Sequence, residues 1–345
     1  MGRLRKVISL IFANSWRFAV VSFLLVFCLI VYTGILRSAS SIGHWKEVKI
    51  PSGSTYLQAL NELEKEGLIR NKFMLLILGK FTGTEREIRA GYYSLNPDMS
   101  PFEIFNILRN GKIIEYSITI PEGATLEEII LRLAEKGFAE AELYQLVNAK
   151  DLLYRLDIDA PSLEGYLYPD TYNLPKGISP EEILKMMVAQ LRKILNHDLM
   201  ERANAIGFSE REVLTLASII EKEAKLDEER PIISAVFHNR LKKNMPLQAD
   251  PTVIYGVKRM GEKITKEDLR RDTPYNTYRI RGLPPGPIAS PGIKSIMAAL
   301  YPAQVDYLFF VSRNDGSHFF SREYSEHANA VRTYQLKPDR EKSRN

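Results

Sequence analysis

The sequence holds almost no cysteine. Cys28 is the single one among 345 residues, which excludes an intrachain disulfide and a cysteine-based metal site. Bulky Phe27 precedes it, so this stretch does not read as a lipoprotein cleavage site. Histidine is scarce as well. His238, His318 and His327 lack the spacing of metal ligands, so they read as surface or packing residues and no metal is expected. A phosphate-cradling glycine loop is missing: Leu283-Pro284-Pro285-Gly286-Pro287 offers too few backbone donors. No serine stands in a nucleophile-elbow context. Neither sign of charge dominates, with 47 basic against 42 acidic residues and a net charge of +5. Part of that excess lies at the two ends (Arg3, Arg5, Lys6 and Arg17; Lys337, Arg340, Lys342 and Arg344). That is not a nucleic-acid-binding face, and neither a nucleic-acid partner nor a cofactor is expected.

Long uncharged runs are also lacking, with one exception. Phe18–Leu36 is nineteen residues without a charge, long enough to span a bilayer. Small residues, Ser38–Ser41, come only after Arg37, the wrong order for a cleaved signal peptide. An uncleaved anchor over 18–36 is therefore expected. Four basic residues precede it, so the positive-inside rule places residues 1–17 in the cytoplasm. Everything beyond about residue 38 then lies outside the cytoplasmic membrane. The charged tail, residues 339–345, is expected to be mobile.

An internal repeat organises the next segment. VKIPSGSTYLQALNELEKEG (Val48–Gly67) and ITIPEGATLEEIILRLAEKG (Ile118–Gly137) align without a gap at an offset of 70 residues. Ile50/Ile120, Pro51/Pro121, Gly53/Gly123, Thr55/Thr125, Leu63/Leu133 and Gly67/Gly137 coincide. Each copy reads as a short alternating strand, a Pro-x-Gly turn and a helix capped by threonine. A helix near Asn71–Phe81, a strand near Ile88–Ser94 and a helix near Pro101–Asn110 lie between them. This arrangement, over residues 45–137, resembles the LysM carbohydrate-binding module.

Residues 138–338 read as a mainly helical α+β domain with long loops. Apolar residues recur at helical intervals in Ala139–Ala149, Pro180–His197 and Ser209–Lys225. Ser179 before Pro180 and Ser209 with Glu212 read as helix starts. Further helices are expected near Pro231–Asn244, Ile293–Leu300 and Ser325–Gln335. YLFFVS (Tyr307–Ser312), Asn314-Asp315-Gly316 and HFFS (His318–Ser321) signal a hairpin. Three loops share an unusual mixture of rings, amides, hydroxyls and carboxylates: Leu163–Gly177, Met245–Gly256 and Asp272–Gly292. Glu164, Tyr166, Gln248, Asp250, Thr252, Tyr255, Asn276 and Tyr278 stand in them. Rings cover the apolar faces of pyranoses and short polar side chains bond their hydroxyls, so a sugar polymer is the expected ligand.

The helix within Leu214–Arg230 carries the candidate catalytic group. Val213, Leu216, Ala217, Ile220 and Ala224 make one apolar stripe, and Glu221 and Glu223 fall on its opposite borders. A half-buried carboxyl has its pKa raised by desolvation while still reaching a ligand, which is what a general acid needs.

Taken together, ASIIEKEA, HNRL, MPLQADPTVIYG, TPYNTYRIRGLPPGPIASPG and LEGYLYPDTY resemble the YceG-like family of endolytic murein transglycosylases, in that family's order, from the anchor to about residue 335. The resemblance implies a lyase anchored in the bacterial inner membrane that cleaves nascent peptidoglycan strands internally. It also implies contact with penicillin-binding proteins of the cell-wall synthases. The catalytic acid of the family's Glu-Lys-Glu motif maps onto Glu223, with Glu221 as the alternative. The other polar loop residues, and Glu221 if it is not the acid, are then substrate-binding. Such an enzyme cuts the MurNAc–GlcNAc bond by attack of the MurNAc 6-hydroxyl on its own C1, so one carboxyl suffices where a hydrolase usually needs two. Two other readings stay open: a hydrolytic muramidase with Asp250 or Glu164 as second carboxylate, and a non-catalytic glycan-binding adaptor for synthases.

Overall fold

The computed structural model describes residues 2–40, 42–86, 88–258 and 261–336; the tail at 339–345 lies outside them. The protein is a mixed α and β structure with small sheets, and it divides into two compact units. One comprises Met1–Tyr116 with Asn173–Ile178; the other comprises Ser117–Tyr172 with Ser179–Asn345.

The first unit begins with helix α1 (Gly2–Val31), which runs on into a π-helical turn, Tyr32–Leu36. Its Ala19–Leu36 stretch has a mean hydropathy of 2.7 and is not buried in the protein. Among the described residues it is the one helix long and apolar enough to cross a membrane. Strand β1 (Lys46–Ile50) alternates, with Val48 and Ile50 inward and Lys46, Glu47 and Lys49 in water. It pairs antiparallel with β2 (Gly91–Leu95), in a register that sets Val48 opposite Tyr93. Helices α2 (Tyr56–Lys65), α3 (Phe73–Thr82) and α4 (Pro101–Arg109) complete the unit. Leu60, Leu63, Leu75, Ile104 and Leu108 are fully buried with Tyr93 and Leu95 of the sheet. Each such side chain contributes roughly 1.5–3 kcal/mol through burial.

The same local devices recur at both copies of the repeat. Thr55 caps α2 and Thr125 caps α5 (Leu126–Ala134), each in a reciprocal capping box with the residue three positions on. Ile50 and Ile120 are both 2 % exposed. Gly53 and Gly123 turn at φ 77° and 75°, a left-handed backbone that glycine adopts without strain. Strand β3 (Glu115–Thr119) forms a second sheet with β4 (Thr171–Pro175). The division between units falls inside these two strands, so the compact units do not follow the repeat.

The second unit is mainly helical. After α5 come α6 (Glu140–Val147) and α7 (Lys150–Arg155), and after β4 come α8 (Pro180–Ile194) and α9 (His197–Ala205). The run expected as one helix over Pro180–His197 breaks at Leu195. Asn196 then caps α9 by accepting a hydrogen bond from the Leu199 N–H at 3.1 Å. Next are α10 (Glu210–Glu223), α11 (Arg230–Lys242) and the short α12 (Asp250–Ile254) and α13 (Lys266–Arg270). Helix α14 (Ile293–Leu300), the hairpin β5 (Phe309–Ser312) and β6 (His318–Ser321), and α15 (Tyr324–Val331) end the described chain.

Helix α10 is the centre of this unit. Val213 through Ile220 are buried without a break, so the helix is enclosed on every side and not only along a stripe. Its two polar core residues are satisfied. Thr215 Oγ1 donates to the Arg211 carbonyl, and Ser218 Oγ donates to the Thr215 carbonyl while accepting from Ile288 N–H. Only the ends of such a helix reach solvent. The last turn, where Glu221 and Glu223 stand, is one of them.

Candidate active site

The two glutamates of that turn have different fates. The Glu221 side chain is 6 % exposed and lies 3.1 Å from the Arg230 guanidinium of α11. Its Oε2 also accepts from the Gly292 N–H at the start of α14, at 3.0 Å. Arg230 is itself held by Asp227 at 3.0 Å and donates to Ser295 Oγ at 2.5 Å. Glu221 is thus a neutralised, hydrogen-bonded carboxylate tying three helices together.

Glu223 closes α10 and lines a cavity of about 490 Å³. Burial and, after it, the nearby charge of Asp250 push its carboxyl up to about 8, against a hydrogen bond from the Asp250 backbone N–H that works the other way. A carboxyl in this state is protonated at neutral pH. Lys222 and Lys225 flank it on one wall, and Asp250, Pro251 and Ile254 of α12 form the next. Gly261, Glu262 and Ile264 supply a third side, and the hairpin closes the cavity with Ser312, Gly316 and His318.

Of the expected substrate contacts, Asp250 stands in this cavity. It is exposed, and its Oδ1 accepts from the Tyr278 hydroxyl at 2.7 Å. Burial, then the charge of Asp250 and that bond, raise the Tyr278 phenol above the ordinary range. Tyr278 therefore reaches the site through Asp250. Gln248 is exposed in a left-handed backbone conformation, φ 53°, and its side-chain oxygen accepts from Arg240 at 3.0 Å.

Other expected contacts are structural in their geometry. Thr252 is wholly buried; its Oγ1 donates to the Ala249 carbonyl at 2.7 Å and lies 2.8 Å from Thr277 Oγ1. It fastens the loop 245–256 to the loop 272–292. Asn276, also wholly buried, donates to the carbonyls of Arg271 and Leu269 beyond and within α13, at 2.7 and 3.2 Å. Its Oδ1 accepts from the Tyr278 N–H at 3.0 Å, which sets the direction of the following residues. Tyr166 is 2 % exposed, a core residue whose phenol burial pushes up to about 12.

Glu164 is 6 % exposed and does not line the Glu223 cavity. Its carboxylate accepts from Leu126 N–H at 3.0 Å, at the first residue of α5, and from the Tyr255 hydroxyl at 3.0 Å. Burial dominates these bonds and brings the group up to about 7. Tyr255 in turn lies 4.7 Å from Tyr275, ring centre to ring centre. Buried Glu164 and half-buried Tyr255 form a buttress under the loops.

The hairpin wall was not among the sequence candidates. Its signal was present in Asn314-Asp315-Gly316, a tight turn followed two residues later by a histidine, but only the fold brings that turn to the end of α10. Among the described residues no three His, Cys, Asp or Glu side chains form a metal-holding group.

The YceG-like family model matches residues 48–333. The chain belongs to the YceG-like family. It is 35 % identical over 306 residues to the endolytic murein transglycosylase of Bacillus subtilis (strain 168), covering 83 % of this chain and 84 % of that one. It is 30 % identical over 314 residues to the endolytic murein transglycosylase of Streptococcus pneumoniae serotype 2, covering 81 % of this chain and 56 % of that longer protein. A crystal structure of a yceG-like protein from Listeria monocytogenes, 34 % identical, superposes with a TM-score of 0.58 over 83 % of this chain and 98 % of that one.

Proposed function

We propose that this protein is an endolytic murein transglycosylase, a lyase that cuts the MurNAc–GlcNAc bond within peptidoglycan strands, with Glu223 as its general acid and base. The observation that carries the assignment is the contrast inside one helical turn. Glu221 is committed to Arg230, whereas Glu223 opens into a cavity with its acidity suppressed to about 8. The names of the relatives support the same activity.

The chemistry follows from that state. A protonated Glu223 donates to the bridging oxygen as the glycosidic bond breaks. Positive charge develops at C1 of the MurNAc ring, and the exposed carboxylate of Asp250 in the same cavity stabilises it. The 6-hydroxyl of the same sugar attacks C1 and closes a 1,6-anhydro ring. Glu223, now a carboxylate, takes the hydroxyl proton and is restored. Intramolecular attack supplies the effective molarity that a second catalytic carboxylate would otherwise provide.

Asp250 also gives the hydrolytic muramidase reading a specific footing, because it is the second carboxylate beside Glu223. The two readings differ by one water in the product ends. Helix α1 anchors the enzyme in the cytoplasmic membrane with its N-terminus inside, so that the cavity meets strands near the synthases that make them. The LysM-like region, residues 45–137, serves as a glycan-holding module. The deciding experiment is turnover of purified glycan strands by Glu223→Gln and Glu221→Gln. Loss in the first with retention in the second supports the assignment; the reverse moves the acid by two residues.

A further inference from the structure

His318 lines the cavity and has no part in the mechanism above. It opens β6, opposite Ser312 of β5, and both line the cavity that holds Glu223. Its placement is tightly determined. The His318 backbone N–H donates to Glu229 Oε1 at 2.9 Å, and its ring Nδ1 lies 2.6 Å from Glu229 Oε2. Glu229, just before α11, is 8 % exposed. The ring is further confined by Phe310, edge-on at 5.4 Å, and Phe320 at 6.2 Å.

The two bonds do different things. The backbone bond docks the strand, alongside Arg240 Nε donating to the Leu308 carbonyl at 2.7 Å and Phe237 packing edge-on against Phe310. The ring bond also fixes the orientation of the imidazole and its tautomer. A carboxylate accepts, so Nδ1 carries the hydrogen, and in the neutral ring Nε2 is left with a lone pair. A histidine whose far nitrogen is set by a buried carboxylate presents its near nitrogen in one defined direction, here within the wall of a cavity. Sugars offer hydroxyl donors at close spacing, and a fixed lone pair selects among them.

We infer that His318 is a glycan-binding residue of the Glu223 cavity, with Nε2 accepting a hydrogen bond from a sugar hydroxyl and Glu229 acting as its positioning residue. The inference deepens the proposed function and rests on it for the identity of the ligand.

The test uses the full chain in detergent micelles, carrying Glu223→Gln to stop turnover, titrated with peptide-free glycan strands by calorimetry. Adding His318→Leu weakens binding by about tenfold, the loss of one hydrogen bond to a buried acceptor. His318→Gln, whose amide oxygen also accepts, restores most of it. A merely structural histidine lowers the unfolding temperature in both variants and leaves the affinity of the folded fraction unchanged, which overturns the inference. Should His318→Leu fail to fold, the parent labelled with 15N-histidine reports directly. The His318 Nε2 resonance moves on saturation with glycan; a resonance that stays in place contradicts the proposal. Binding by the parent without turnover in the wild type removes only the catalytic reading, whereas no binding by the parent removes both.

Discussion

Replacing Glu223 by glutamine makes a pH-dependent change in stability that can be worked out from the site. Burial and the charge of Asp250 lift the carboxyl from an ordinary 4.5 to about 8. The folded state therefore holds a proton that the unfolded state releases. The stability linked to this group is fully present below about pH 4.5 and is lost as pH rises through about 8. Each tenfold change in acidity is worth about 1.4 kcal/mol, so the loss is at most about 5 kcal/mol. Solvent in the open cavity reduces it to roughly 2–3 kcal/mol. Glutamine resembles the protonated side chain and carries no such loss. The two proteins should have similar stability near pH 4, and the variant should lead at pH 9 by roughly 4–12 °C in unfolding midpoint, at about 2–4 °C per kcal/mol for a unit of this size. Differential scanning fluorimetry of the full chain in micelles, at both pH values, measures this. A midpoint difference that is the same at pH 4 and pH 9 refutes the reasoning, because it means Glu223 titrates as an ordinary exposed carboxyl.

Other expectations follow from the surrounding contacts. Arg230→Met strands the Glu221 carboxylate in the core and should destabilise the second unit by about 3–5 kcal/mol in urea unfolding. Tyr255→Phe removes a hydrogen bond that lowers the Glu164 pKa, so that carboxyl should titrate above its present value of about 7. Carbon-13 NMR of labelled glutamate reads that shift, and a fall would contradict the described buttress. Thr252→Val should cost about 1–3 kcal/mol and raise KM, because the loop carrying Asp250 loses its tie to Thr277; an unchanged unfolding midpoint counts against that tie. Asp250→Asn removes the like charge beside Glu223, so the alkaline limb of the kcat/KM profile, set by loss of the acidic proton, should move to lower pH.

The sequence made the architecture of local elements legible because its punctuation is strong. Thr55, Thr125, Ser179 and Ser209 each stand where a helix begins, each in a capping box. The Glu-Lys-Glu triplet was readable as half-sheltered, although for a different reason than an amphipathic border. Helix α10 is buried all round, and shelter varies only because the triplet ends it. Telling Glu221 from Glu223 needed Arg230 and Gly292, nine and 71 residues beyond Glu221, which spacing within one helix does not report. Thr252 and Asn276, expected as substrate contacts, are wholly buried. A hydroxyl or amide that binds sugar and one that ties two loops together have the same composition, and only their complete burial separates them. His318 read as packing because its partner, Glu229, is 89 residues away. The division of the chain inside β3 and β4 was invisible in a repeat whose two copies look alike.

The most direct measurement is mass spectrometry of the ends released from purified glycan strands. The wild-type chain should yield MurNAc ends one water lighter than reducing ends, Glu221→Gln should yield the same ends, and Glu223→Gln should yield none. Reducing ends from the wild type, or anhydro ends at an undiminished rate from Glu223→Gln, would contradict a single carboxyl that gives and then recovers the proton.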